Sequence, residues 1–177
     1  MTSSEYDVRM QEWRENLEDF GRTIDGIGGD GGFVPSQDPE FWRDFDRIER
    51  AGRDKKEAEA PWLASLTQVD DLGPNGRAMF LAIAALDALR QMPTATLAVG
   101  KTLSHQLAPD ASRYRKVSLC KVLEASASAE AIPFLEKLAG DEETYVRSDC
   151  GWCLEKLRAE LERLARSDGP ARHPSVR

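Results

Sequence analysis

A segment that repeats at a fixed offset constrains this chain more than any other feature. Leu107, Ala108, Asp110, Tyr114, Lys116, Leu119, Leu123 and Glu124 are followed 31 residues later by Leu138, Ala139, Asp141, Tyr145, Arg147, Cys150, Leu154 and Glu155. Six of the eight positions are identical, one keeps a basic residue and one exchanges Leu for Cys. Upstream, Asp71 and Arg77 keep the six-residue Asp-to-base separation, followed by Phe80, Ile83 and an alanine-rich run to Leu89. This third copy lies 39 residues before the one containing Asp110 and Lys116 and so carries an insertion. A period of roughly 30 to 45 residues with two helices per unit predicts an all-α chain of stacked helical repeats, an α-solenoid.

The best-formed copy runs from Ala131 to Leu157. It contains a short helix opening at Ile132-Pro133, an acidic turn at Asp141-Glu-Glu143, the pair Val146-Arg147, and a second helix. In this order the stretch resembles the HEAT-like repeat family, specifically the short phycobilisome-lyase type. The resemblance extends, loosening towards the N-terminus, over about residues 61–164. It implies stacked antiparallel helix pairs and a protein-binding scaffold, and it says little of activity. On the last helix Val146, Cys150, Cys153, Leu154, Leu157, Leu161 and Leu164 form one apolar stripe at helical spacing. The recurring Asp and Arg/Lys are placed to pair between neighbouring copies, where such ion pairs add about 0.2–1 kcal/mol and chiefly fix register.

Charge divides the chain differently. Residues 1–60 hold 16 Asp/Glu against 9 Lys/Arg, whereas residues 61–177 hold 15 of each, so the whole net charge of −7 lies in the first third. That third and its border also carry Tyr6, Trp13, Phe20, Phe33, Phe41, Trp42, Phe45 and Trp62. Acidic but aromatic, it is unlike a disordered tail. Tyr6, Met10, Trp13, Leu17 and Phe20 step by four and three and predict a helix over about 4–20. The glycine-rich run between Asp25 and Phe33 stops it. That run lacks the Lys and Ser/Thr of a phosphate loop and the bidentate Glu of an EF-hand, so it reads as a connector. Asp38-Pro39 starts a second helix with Phe41, Phe45 and Ile48 on its inner face, ending near Gly52. A charged linker, Arg53 to Ala60, leads to a further Pro-started helix at Pro61. The organisation expected is an acidic helical segment over 1–60, a HEAT-like repeat domain over 61–166 and a loose tail over 167–177.

Several function classes fall away. No run approaches the roughly 20 apolar residues of a membrane span, so no membrane role is expected. The charged N-terminus reads as neither a secretory signal nor a transit peptide. Three Cys are too few for a disulfide scaffold, and their odd number suggests a reducing, cytoplasmic setting. Overall acidity makes nucleic acid an unlikely partner, because phosphates are repelled.

Candidate chemistry is sparse. Cys150-Gly-Trp-Cys153 could be a redox pair, or half of a zinc site with Cys120 and His105. The repeat argues for core packing, since Cys150 aligns with Leu119 and Cys153 with Val122, both apolar positions. Ser104 and His105 are adjacent on a helix and point apart, so they make no nucleophile–base pair. Asp70-Asp71 and Glu142-Glu143 suit helix starts. The expectation is a non-catalytic protein without cofactor or metal.

Away from the Cys–Leu stripe, Tyr145, Ser148, Asp149, Trp152 and Lys156 follow helical spacing, aligned with Tyr114, Val117, Ser118, Lys121 and Ala125. From these we select Tyr114, Ser118, Lys121, Tyr145, Asp149, Trp152 and Lys156 as a partner-binding strip, because Trp and Tyr flanked by charges make binding hot spots. In HEAT-like proteins the second helix of each pair lines the concave face, which would stack these residues together. The strip could equally be covered by the acidic segment, or Trp152 could simply cap the last repeat. The expected partner is another protein. A basic one, such as a toxin met by an immunity-type protein, suits the acidic chain. Two alternatives stay open: nucleic-acid binding or repair through Arg113, Arg115, Lys116 and Lys121, and self-association through residues 6–20. The oligomeric state is not readable from the sequence.

Overall fold

The computed structural model describes residues 39–68 and 76–167. The expected helix over 4–20, the glycine-rich run, Asp38, Asp70-Asp71 and the tail beyond 167 lie outside the described residues. The described chain is all-helical: α1 (Pro39–Arg53), α2 (Ala60–Thr67), α3 (Gly76–Arg90), α4 (Pro93–Gln106), α5 (Arg113–Ala125), α6 (Ile132–Ala139) and α7 (Thr144–Ser167). Short 3-10 turns over Glu57–Glu59 and Ala129–Ala131 lead into α2 and α6.

Local chemistry sets where these helices begin. Pro stands in the first turn of α2, α4 and α6, where its missing N–H costs nothing and its fixed φ suits the helix. Ser112 caps α5 by accepting the Arg115 N–H at 3.3 Å. Thr96 is buried in α4, and its hydroxyl donates to the Leu89 carbonyl at 2.8 Å, so the polar atom enters the core satisfied.

Packing follows the apolar faces. Phe41, Phe45 and Ile48 of α1 are fully buried and join Leu63 of α2 and Phe80, Leu81 and Leu89 of α3 in one cluster. The core therefore runs continuously across residue 60. Between α1 and α2 the charged stretch is anchored: Arg47 bonds Glu59 at 2.7 Å and lies 3.8 Å above the Trp62 ring. A second cluster holds Leu119, Cys120 and Leu123 of α5, Leu135 and Leu138 of α6, and Val146, Cys150, Cys153, Leu154 and Leu157 of α7. The expected stripe on α7 is thus buried down to Leu157, while Leu161 is half-buried and Leu164 exposed.

Helices packed in sequence order, α2 on α3, α4 on α5 and α6 on α7, are joined by further contacts of α3 with α5 and α5 with α7. One close approach relies on glycine, and a second would require the Leu123 side chain to shift. A Cβ at Gly52 would meet the Ala88 Cα at 2.9 Å, and one at Gly100 would meet the Leu123 side chain at 2.9 Å.

One recurring charge pair bridges two copies. Lys116 Nζ lies 2.8 Å from Asp141 Oδ2, and both side chains are more than four-fifths buried. The Lys116 hydrogen bond, followed by that from the Glu143 N–H, holds the Asp141 carboxyl below its ordinary range. A depressed folded value means that the contribution is complete above the unfolded pKa and disappears as pH falls through the folded one. Thermal melts between pH 7 and pH 3 should therefore show wild type losing stability below about pH 4 more steeply than Asp141→Asn. Equal slopes would show that the pair contributes nothing to acid sensitivity.

The cysteines require a correction. Cys120 and Cys150 are joined by a disulfide, leaving Cys153 as the one free, buried thiol among the described cysteines. All three occupy the core as expected, but two of them are not free. The bond forms because α5 packs on α7 and brings the two Cα atoms to 5.5 Å, within disulfide reach. It removes the premise of three free thiols on which a reducing interior was inferred.

Candidate functional site

The strip is built on the exposed sides of α5 and α7. Tyr145 and Trp152 are large hydrophobic residues standing 47% and 58% exposed on α7. Lys121 and Lys156 are exposed, and Tyr114, Ser118 and Asp149 half-buried. Val117 and Ala125, aligned with Ser148 and Lys156, are buried and do not belong to this surface.

Cations tie its two ends. Arg113 donates from Nη2 to the Tyr114 hydroxyl at 2.9 Å, and its guanidinium lies 4.8 Å from the Tyr114 ring and 5.6 Å from the Tyr145 ring. The equivalent tyrosines of two copies thus share one cation. At the other end Lys156 Nζ lies 4.8 Å from the Trp152 ring centroid and 3.2 Å from Glu124 Oε1. Glu124 Oε2 accepts from Arg90 at 3.1 Å, and Arg90 also bonds Asp87 at 2.7 Å. A single carboxylate, 12% exposed, therefore links α3, α5 and α7. Such cation–aromatic contacts are worth about 0.5–1 kcal/mol at exposed sites and hold the rings in place.

Beneath this surface the Cys153 thiol is pushed up to about 11, chiefly by burial. Glu124 and Asp149 raise it further, whereas Lys121 and Lys156 oppose them. The thiolate needed for exchange or metal ligation is therefore scarce at neutral pH. Cys120 and Cys150 are committed to each other, so the redox pair loses Cys150 and the zinc site loses two of its four ligands. Among the described residues no three His, Cys, Asp or Glu side chains gather as a metal site. Ser104 donates to the Gly100 carbonyl at 2.8 Å while His105 packs edge-on against Phe134, so the two side chains serve separate contacts.

Sequence reasoning missed Arg90, Arg113 and Glu124 as members of the strip. Glu124 recurs in register with Glu155, a signal that was present. Arg90 carried none, because it reaches the strip from a helix two elements away. No helix of the described residues is long and apolar enough to cross a membrane. Comparison of the chain with protein families, curated proteins and solved structures finds no match.

Proposed function

We propose that this is a non-catalytic interaction protein with the HEAT-like repeat arrangement, gripping another protein on the strip formed by Tyr114, Ser118, Lys121, Tyr145, Asp149, Trp152 and Lys156. The observation that carries the reading is the exposure of Trp152 and Tyr145 on one helix beside ring-stacked cations. Exposed aromatic groups of this kind mark association sites. The consecutive contacts of α3, α5 and α7 support a stack of second helices as its scaffold. A basic partner of the immunity–toxin kind is the finer part of the proposal. The acidity of residues 1–60 supports that partner by attracting an approaching basic protein.

The DNA-directed alternative is the weaker, because Arg113 is engaged by Tyr114 and Lys116 by Asp141. The test is retention of proteins from lysate by the full chain beside Trp152→Ala and Tyr145→Ala. Both substitutions lie at exposed positions and should lower the melting temperature by no more than about 4 °C. A protein retained by wild type should bind Trp152→Ala at least about 30-fold more weakly, as loss of a tryptophan hot spot implies. It should also elute as salt rises. Equal retention by all three chains would place the interaction elsewhere.

A further inference from the structure

The face of α5 opposite the strip carries a separate feature. Successive residues of a helix turn by about 100°, so Lys116 and Leu119 point roughly away from Tyr114, Ser118 and Lys121. There the end of α4, the start of α5 and helix α6 enclose a groove of about 580 Å³. Its apolar wall includes Leu107, Leu119, Phe134 and Leu138. The volume lies within the range of about 300–1,000 Å³ typical of small-molecule sites.

Four ionisable residues line it: His105, Lys116, Lys137 and Asp141. Lys116 and Asp141 neutralise each other at 2.8 Å and offer no net charge. Ser104 is committed to the Gly100 carbonyl and offers no free hydroxyl hydrogen. Lys137 differs: it is exposed on the rim and makes no ion pair with a described residue. Lys56, Lys101, Lys116 and Lys156 are each paired with a carboxylate, and of the described lysines without such a pair, Lys55, Lys121 and Lys137, only Lys137 lines the groove. His105 stands on the same rim, its ring held edge-on to Phe134 with centroids 5.9 Å apart. An apolar trough with one unpaired cation and an imidazole at its edge lacks an apolar body and an anionic head.

We propose that this groove binds a small amphiphilic carboxylate, its hydrocarbon or aryl part against Phe134, Leu107, Leu119 and Leu138 and its carboxylate at Lys137 and His105. Charge complementarity selects the anion, since a cation would meet Lys137 and find Asp141 already engaged. Apolar contact supplies most of the affinity, and the ammonium supplies head-group selectivity.

The test uses the full-length chain and anilinonaphthalene sulfonate, an apolar anionic dye, followed by fluorescence. One saturable site is expected in wild type, weakened about tenfold or more in Lys137→Glu, as loss of a charge-assisted contact and its reversal imply. Octanoate should displace the dye, and 1-octanol at the same concentration should not. Lys137→Glu alters an exposed position, and an unchanged melting curve confirms that it is folded. Dye binding indifferent to Lys137→Glu would overturn the assignment, as would absence of saturation. Equal displacement by octanol would overturn the anionic head. Binding at this groove and retention of a protein on the strip are read separately, so either can fail alone.

Discussion

Phe45→Ala is expected to be the most damaging single truncation, at about 3–5 kcal/mol. Phe45 is fully buried, and its ring lies 5.7 Å from Phe41 and 5.8 Å from Trp42. Removing it strips the central aromatic from the face by which α1 packs on α3. The outer side of α1 is charged, and packing of an amphipathic face provides most of a short helix's stability. Urea denaturation should show the midpoint falling steeply. If the two clusters form one cooperative unit, α1 and α7 will lose structure in the same transition. A loss under about 1 kcal/mol would mean that α1 is not an integral part of the core.

Reduction of the Cys120–Cys150 disulfide should produce the second large effect. The bond closes a loop spanning 30 residues of sequence that contains all of α6. Releasing a loop of that length restores entropy to the unfolded chain worth about 3–4 kcal/mol. The measurement is the denaturation midpoint of the same preparation with and without a phosphine reductant, after mass spectrometry has established the state of the thiols. The free Cys153 should stay unalkylated in the folded protein, since it is buried and its thiol pKa is raised to about 11. Equal midpoints in the two states would show that the packing of α5 against α7 already supplies everything the bond does.

The two results differ in how far the sequence foretold them. Phe41, Phe45 and Ile48 were legible as an inner face, because helical periodicity is written into one short segment. So were the starts of α2 and α6, where Pro sits in the first turn, and the bridging of one copy to the next by Lys116 and Asp141. The disulfide was hidden by the repeat itself. Alignment at offset 31 sets Cys150 against Leu119, whereas the bonded partner is the neighbouring Cys120. Equivalent positions in two copies say which residues face a core, and bonding across that core depends on how the helices are rotated against each other. For the same reason the α7 part of the strip was read from spacing alone, whereas Val117 and Ala125, which the alignment sets opposite Ser148 and Lys156, are buried. The groove has no linear signature at all. Its wall is assembled from the end of α4, the start of α5 and one side of α6.

Gly52 has a consequence for how the chain can change over generations. A side chain there would strike the Cα of Ala88 at 2.9 Å. Many tight contacts can be relaxed by shrinking the neighbour, so two positions drift together. Here the obstructing atom is one that every amino acid possesses. No replacement at position 88 makes room, and the only accommodation is to displace α1 bodily from α3. Position 52 is thus a site without a compensating partner, at which descent can proceed only by keeping the glycine or by rebuilding the interface.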